Sequence, residues 1–258
     1  MIEGVRQLYR YRVLIQILVL RELKARYRGS VLGFLWSFVN PLVLTVIYVL
    51  VFSVYMRIEV ERYAGFLLSG ILPWIWFSAG LQDATRSIIE NGGLIRKVYL
   101  PSEVFPFVST ASNMIHYLFA IPVLLLLLVF LGGTLSWPLL FFPAVVCIQF
   151  AFLYGLALLV SSLTVGFRDL LHVVPNLLTL WFFLTPVFYP IALVPMPYRV
   201  LVRLNPMAQI IKAYQDMFYY NQMPSVGSLS LLTAACGVLL GIGFWCFAAR
   251  KDRFAEEV

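Results

Sequence analysis

Long runs of apolar residues, separated by short charged stretches, dominate the 258-residue chain. A helix needs about 20 mainly apolar residues to cross the hydrocarbon core of a bilayer. The segments that meet this requirement are residues 31–56, 64–83, 104–131, 138–163, 173–189 and 227–249. The fifth is the least regular, because Pro175, Pro186 and Pro190 interrupt it. The pattern therefore predicts an all-α integral membrane protein with six transmembrane helices.

An amphipathic stretch precedes the first span. Residues 13–28 combine an apolar side, formed by Leu14, Ile17 and Leu18, with a basic end. This arrangement is typical of a helix that lies in the membrane interface. A simple basic flank that only sets membrane topology is the alternative. Residues 1–30 are accordingly predicted to form a cytoplasmic or interfacial helical segment ahead of the transmembrane domain.

The segment 190–226 does not fit a plan of six simple spans, because it is too long for a tight turn and carries few charges. Asn205-Pro206 marks a helix start there, with Asn as the cap and Pro at the first helical position. We expect two short re-entrant helices on the outer side, within 190–226, before the last span. The transmembrane domain would then cover residues 31–249 and a cytoplasmic tail residues 250–258.

Composition and charge agree with a membrane location. Hydrophobic residues make up 62% of the chain and charged residues only 12%, against roughly a quarter charged in soluble domains. In a six-span plan, 14 of the 19 Lys and Arg residues fall on the side that holds both termini. Cytoplasmic segments carry the excess of positive charge, so both termini are expected in the cytoplasm. The net charge of +7 needs no nucleic-acid partner, and some of it can meet anionic lipid headgroups.

The sequence lacks the motifs that would give this chain an energy source or a catalytic centre. It contains no G-x-x-x-x-G-K-[ST], H-E-x-x-H or G-x-S-x-G. All twelve carboxylates lie in loops, in the tail or near span ends, which disfavours ion-coupled transport. His116, inside the third span, could relay protons or simply hydrogen-bond a neighbouring helix. We predict no catalytic residues, no metal ligands and no cofactor on this chain, and expect any fuel to come from a partner.

The stretch NGGLIRKVYLP, residues 91–101, lies between two spans on the predicted cytoplasmic side. It is too short to cross a membrane and too apolar for an ordinary solvated loop. We interpret it as a short helix that docks into the groove of a partner. The side chains assigned to docking are apolar, to insert, or cationic, to meet carboxylates or phosphates: Leu94, Ile95, Arg96, Lys97 and Val98. An interface loop with topology-setting charge is the alternative.

Further short motifs follow one another over nearly the whole chain. They are RELKARYRGSVLGFLW at 21–36 followed by Pro41, LIRKVYLPSE at 94–103, FRD at 167–169, TPVFY at 185–189 and NPM at 205–207. In these motifs the chain resembles the permeases of the type-2 ABC exporters of polysaccharide, which transport O-antigen, capsule and teichoic acid. The first motif resembles the opening signature of that family, and the second its coupling-helix region.

The resemblance implies a half-transporter of the bacterial cytoplasmic (inner) membrane. Two copies of the chain would form the conduit, and two copies of a separate ABC ATPase, which carries ATP and Mg, would drive it. Residues 91–101 would be the coupling helix, and the helices within 190–226 would form an outer gate. The cargo would be a glycan on a polyprenyl-pyrophosphate carrier.

Two sets of side chains are candidates for contact with such a cargo. Cations at the start of the first motif could bind the pyrophosphate by charge-assisted hydrogen bonds: Arg21, Lys24, Arg26 and Arg28. Aromatic rings offer flat apolar faces along which sugars can slide. The aromatic candidates are Phe34, Trp36 and Phe38 on the first span, Trp74, Trp76 and Phe77 on the second, and Trp181, Phe182, Phe183, Phe188 and Tyr189 on the fifth.

Three other functions remain open at the level of sequence. A type-2 ABC permease for a drug or small lipid would share most of these motifs. A membrane transferase acting on polyprenyl sugars would need a catalytic carboxylate or histidine at the membrane surface. A passive channel would conduct without any partner.

Overall fold

The computed structural model describes residues 2–30, 32–57, 60–97 and 100–254. Within these ranges the regular structure is entirely helical, which confirms the predicted all-α class. The α-helices are α1 (Ile2–Arg10), α2 (Arg12–Tyr27), α3 (Trp36–Tyr48), α4 (Tyr63–Glu90), α5 (Gly92–Lys97), α6 (Val104–Phe130), α7 (Phe142–Gly166), α8 (Leu170–Phe183), α9 (Arg199–Leu204), α10 (Pro206–Phe218) and α11 (Val226–Ala248). A π-helical segment, Val49–Tyr55, continues α3.

The described residues contain five helical stretches that are long and apolar enough to cross a membrane, whereas the sequence pattern predicts six. They are Trp36–Tyr55, Tyr63–Glu90, Val104–Phe130, Trp137–Gly166 and Val226–Arg253. The remaining predicted span, 173–189, is represented by α8, which has only 14 residues and is about 21 Å long. Helix α8 ends at Phe183 because Pro186 disfavours helical backbone at the residue before it.

Helix α4 is the centre of the bundle and packs against α3, α6, α7, α8 and α10. Phe66, Leu67 and Phe77 on this helix are fully buried. Gln149 of α7 donates a hydrogen bond of 2.8 Å to the carbonyl of Pro73, so α7 is also held to α4 by a polar contact within the apolar core. The other helices are therefore positioned by their contact with α4.

The first and the last described residues lie at the same end of the bundle, which we call the terminal end. A buried cluster there joins Leu18 of α2 and Ile88 of α4 to Val165 of α7 and Phe247 of α11. The opposite end, which we call the far end, holds the start of α4, where the hydroxyl of Tyr63 donates a hydrogen bond of 2.6 Å to the carbonyl of Phe188. The two ends of α4 thus define two opposite faces of the protein.

The segment from α8 to α10 runs from the terminal end to the far end, turns back for part of that length, and then returns to the far end. Helix α8 starts just after α7 ends at the terminal end, and the chain reaches the far end at Phe188. It then returns to the level of Thr185, whose hydroxyl accepts a 3.0 Å hydrogen bond from Asn205 Nδ2. From there α10 leads back to the far end, where the Tyr219 hydroxyl donates to the carbonyl of Glu61.

Helix α10 starts where the Asn205-Pro206 pair predicts. The Asn205 side chain accepts hydrogen bonds from the backbone amides of Met207 and Ala208, as an N-cap does. Trp181 Nε1 of α8 also donates to Asn205 Oδ1, at 2.9 Å. Helix α10 is largely buried against α4 and α7. A single capping residue thus begins α10 and fixes it to α8.

Helices α7 and α11 approach closely at two glycines. A Cβ atom built on Gly243 would lie 2.7 Å from the carbonyl oxygen of Gly155, and one on Gly155 would lie 3.1 Å from Leu239 Cγ. The small-residue pair that is visible in the sequence, Gly237 and Gly241, behaves differently, because a Cβ atom added at either position would meet no neighbour within 4 Å among the described residues. The close contact between the two helices therefore involves Gly155 and Gly243, and not the two glycines of α11 that are four residues apart, the spacing typical of close helix packing.

We predict that Gly243→Leu destabilises the protein, because the added side chain overlaps the backbone of α7. Overpacking of this kind costs about 1–3 kcal/mol, and thermal unfolding of the detergent-purified protein measures it. Gly237→Leu is the matched control, since it adds the same side chain on the same helix where space is open. Equal unfolding temperatures for the two variants would contradict the assigned contact.

Candidate functional site: a basic groove and helix α5 at the terminal end

A groove of about 910 Å³ runs along α2 and is here called the α2 groove. Three of the four predicted phosphate-binding cations line it, namely Arg21, Lys24 and Arg28. Apolar side chains that include Leu20 and Phe119 form much of the remaining surface. A groove with cations on an apolar wall can bind a phosphate group that is attached to a hydrocarbon chain.

The fourth predicted cation, Arg26, points away from the groove and into the bundle. Its Nη2 lies 2.9 Å from Asp83 Oδ2 of α4, and its Nη1 donates to Asn113 Oδ1 of α6 at 3.0 Å. Asn113 Nδ2 in turn donates to Asp83 Oδ2 at 2.9 Å. Because both charged side chains are about one third exposed, the ion pair contributes modestly to stability. Its main effect is to fix α2 against α4 and α6.

Tyr27 forms a second connection between α2 and the bundle. Its hydroxyl hydrogen-bonds Ser37 Oγ of α3 and His116 Nδ1 of α6, the latter at 2.6 Å. The Tyr27 and His116 rings are also stacked, with centroids 5.9 Å apart. Of the two interpretations of His116 from the sequence, the structure supports a hydrogen bond to a neighbouring helix. No pattern in the sequence assigns a role to Tyr27.

The described part of the predicted docking stretch 91–101 contains one helix. Helix α5 spans Gly92–Lys97 and follows α4 directly, with Asn91 between the two helices. The Asn91 amide donates to the Ser87 carbonyl at 2.8 Å and accepts from Arg21 Nη2 at 3.3 Å. Helix α5 is therefore tied, through Asn91, both to α4 and to the basic helix α2.

The side chains of α5 divide by polarity. Leu94 and Ile95 are half-buried and pack on the cluster at the terminal end, so they anchor α5 to its own bundle. Arg96 and Lys97 are exposed. Val98, the fifth predicted docking residue, lies outside the described residues. A partner would therefore meet the cations of α5 first.

The predicted aromatic residues occupy three kinds of environment. Those buried inside the subunit are Trp74, Trp76, Phe77 and Phe188, those half-buried are Phe38, Trp181, Phe182 and Tyr189, and those exposed are Trp36 and Phe183. The side chain of Phe34 lies outside the described part of the structure. In this conformation the surface rings are on α3, on α8 and just beyond α8, while those of α4 belong to the core.

Two further aromatic residues on α3 and its extension join the rings near the end of α8. Phe52 stacks on Phe188 with centroids 4.7 Å apart, and Tyr48 lies 6.3 Å from both Phe182 and Phe188. Sequence reasoning missed this pair, although their spacing carries a signal. Tyr48 and Phe52 are four residues apart, which places them on one face of a helix.

The carboxylates and histidines near the groove do not form a metal site. Among the described residues, no group of three or more His, Cys, Asp or Glu side chains is arranged to hold a metal ion. Glu22 on α2 is half-buried, and burial raises the pKa of its carboxyl above the ordinary value of 4.5, with the Asp83 carboxylate raising it further. The charged side chains that line the α2 groove are cations, so the groove favours anions.

Comparison with known proteins gives a consistent result. The model of the ABC-2 type transporter family matches residues 13–219. The chain is 41% identical to the O-antigen export system permease protein RfbA of Myxococcus xanthus over 260 residues, which cover all of both chains. It is 33% identical to the protein of the same name from Klebsiella pneumoniae, over 94% of both chains. It is 23% identical to the polysialic acid transport protein KpsM of Escherichia coli, over 93% of this chain and 95% of that one.

We predict that Glu22→Gln stabilises the protein at neutral pH. A carboxyl whose pKa is raised by folding favours the folded state below 4.5 and loses that contribution as pH rises through its folded pKa. The unfolding temperature of the wild type should therefore fall, relative to that of the variant, as pH rises from 4.5 to neutral. Glu90→Gln, at the exposed end of α4, is the control. A difference between wild type and Glu22→Gln that does not change with pH would contradict the burial of this carboxyl.

Proposed function

The chain belongs to the ABC-2 type transporter family, and from that premise we propose that it is the membrane permease subunit of an ATP-driven exporter of lipid-linked polysaccharide. Permeases of this family are transport subunits that work with an ABC ATPase, so the chain is not itself an enzyme. The polysaccharide cargo follows from the relatives, which are named for export of O-antigen and transport of polysialic acid.

The α2 groove is the observation that carries the proposal for the lipid carrier. A polyprenyl-pyrophosphate glycan has a doubly charged phosphate group between a hydrocarbon chain and a sugar. Arg21, Lys24 and Arg28 provide cations for the phosphates, while Leu20 and Phe119 provide apolar surface for the chain. Arg26 is engaged with Asp83, and we assign it to positioning α2 rather than to binding.

We further propose that the chain crosses the inner membrane six times. The first and the last described residues lie at the terminal end, and a path between two points on one side of a membrane crosses it an even number of times. The segment from Leu170 to Phe188 would supply the sixth crossing, with α8 completed by five residues of irregular backbone that other helices cover. The excess of Lys and Arg supports a cytoplasmic terminal end. Helices α9 and α10 would then be the re-entrant pair on the outer side.

A homodimer would form the conduit. Helix α3 and its extension are exposed on one side, with Val46 66%, Val54 60% and Tyr55 70% exposed. In such a dimer, the two exposed faces would either pack together or line opposite sides of the conduit. Either arrangement would place Trp36, Phe183 and the half-buried rings around the cargo. We assign Trp74, Trp76 and Phe77 mainly to packing within one subunit, because their side chains are buried there.

The driving force would enter at α5. Two ATPase subunits, carrying ATP and Mg, would contact the cations of α5. Because Asn91 links α5 to Arg21, a displacement of α5 reaches the wall of the α2 groove through a single hydrogen bond. This arrangement allows nucleotide-driven motion to act directly on the bound carrier.

We predict that Lys24→Ala and Arg28→Ala each reduce export of lipid-linked glycan about tenfold, because a hydrogen bond to a charged group contributes roughly 1.5–3 kcal/mol. The assay is surface-exposed glycan on cells that lack their own permease, with expression checked by immunoblot. Arg12→Ala is the matched control, since Arg12 starts the same helix but lies outside the residues that line the groove. Equal export by all three variants would remove the groove from the mechanism.

We also predict that the double reversal Arg96→Glu and Lys97→Glu uncouples the permease from its ATPase. Like charges would then face each other wherever these side chains meet partner carboxylates, so copurification of the ATPase should fall severalfold. Arg203→Glu, an exposed charge reversal on α9, should leave copurification unchanged. Retention of the ATPase by the double variant, or its loss in the Arg203 control, would contradict docking at α5.

A further inference from the structure

A second, smaller cavity lies on the other side of Tyr27 from the α2 groove. It has a volume of about 200 Å³ and is enclosed by α3, α4 and α6, with Arg26 of α2 at its wall. We call it the inner cavity. Trp36 and Asn40 of α3 are exposed, so they mark its opening, whereas Ser37 and Asn113 are buried.

The inner cavity is lined by apolar side chains, by the aromatic rings of Trp36, Trp76 and Tyr117, and by several hydrogen-bonding groups. Trp76 and Tyr117 are buried, so Trp36 supplies the accessible aromatic face. Trp36 presents an indole that is 41% exposed. Asn40, His116 and the guanidinium of Arg26 line the same space. A sugar ring has an apolar face, which packs on an indole, and a rim of hydroxyl groups, which require donors and acceptors. The cavity is of a size for one such ring and too small for a longer stretch of polymer.

Asn40 gives an independent reason to expect a polar occupant. Asn40 is exposed on a helix that is apolar enough to cross a membrane. Its side-chain amide forms no hydrogen bond with the described residues. An amide that faces hydrocarbon without a partner is unfavourable, and polar side chains at membrane depth face the bundle interior or a water-filled path. Asn40 satisfies this rule if its amide meets a polar ligand at the opening of the cavity.

The inner cavity and the α2 groove share a wall. Tyr27 lines the groove, while its hydroxyl contacts Ser37 and His116, which line the cavity. On α6, Phe119 of the groove and His116 of the cavity are three residues apart, about one helical turn. A ligand with its phosphate in the groove thus has the inner cavity next to it.

We propose that the inner cavity binds the single sugar that is attached directly to the carrier pyrophosphate, and that Trp36 and Asn40 determine which sugar is accepted. The inference rests on the proposed function, since it needs a phosphate group in the α2 groove. It assigns selectivity to the first sugar alone, because the remaining polymer lies outside the cavity. The permease can therefore select the carrier-linked end while it tolerates variation in the repeating units.

The test compares binding of four probes to the purified permease–ATPase complex in nanodiscs. The probes are farnesyl pyrophosphate and the same lipid linked to N-acetylglucosamine, galactose or glucose. We expect at least one sugar-bearing probe to bind about tenfold more tightly than farnesyl pyrophosphate. Trp36→Ala and Asn40→Leu should abolish that difference and leave the affinity for farnesyl pyrophosphate unchanged. Trp245→Ala, which removes an exposed indole from α11, should change neither affinity.

The two levels of the proposal fail in different ways. Equal affinity for all four probes in the wild type, or a sugar preference that survives both Trp36→Ala and Asn40→Leu, overturns the sugar site and leaves the groove intact. Failure of all four probes to bind, or binding that Lys24→Ala does not weaken, overturns the groove and the proposed carrier with it. Unchanged affinity for farnesyl pyrophosphate also confirms that the variants are folded. Trp36→Phe keeps an aromatic face and should therefore retain part of the sugar preference.

Discussion

The attachment of α2 to the bundle is the interaction on which the candidate site depends. Two adjacent residues reach from α2 into the bundle: Arg26 bonds Asp83 of α4 and Asn113 of α6, and Tyr27 bonds α3 and α6. Without these contacts an amphipathic helix would be held mainly by its apolar side and could slide along the bundle. With them, one face of α2 is fixed toward the interior, and Arg21, Lys24 and Arg28 are held on another. The cationic groove exists because two polar side chains of the same helix point inward.

The connection between the two ends of the bundle follows from the packing around α4. Apolar contact buries α4 on most sides, and Pro186 ends α8 before it is long enough to match its neighbours. The irregular backbone after α8 is tolerated because its carbonyls find donors: Gln215 of α10 donates to the carbonyls of Pro186 and Val187, and Tyr63 to that of Phe188. Irregular backbone at membrane depth is stable only when protein groups satisfy it in this way. The backbone after α8 thus needs α10 within the bundle, because Gln215 of α10 supplies hydrogen-bond donors to it.

Features that depend on local sequence patterns were predicted correctly, whereas the direction in which individual side chains point was not. Apolar runs located five long helices, and Asn205-Pro206 located the start of α10, because both signals act within a few residues. Arg21, Lys24 and Arg28 are spaced by three and four residues and therefore share a face, whereas Arg26 lies two positions from Lys24 and points elsewhere. That spacing is visible in the sequence and is enough to separate the cations correctly. The burial of Trp76 and Phe77 depends on the central place of α4, which no local pattern encodes.

The π-helical segment Val49–Tyr55 gives α3 a mechanical property of its own. Near the start of the helix, Pro41 lacks an amide hydrogen, and Thr45 Oγ1 bonds the Pro41 carbonyl at 2.7 Å. At the other end, the π turn replaces the regular bonding of an α-helix. Helices bend most readily at such points, so the portion of α3 between them is the part that would tilt. In the proposed homodimer, a tilt of this portion would change the spacing between the two copies of α3 without any helix unfolding.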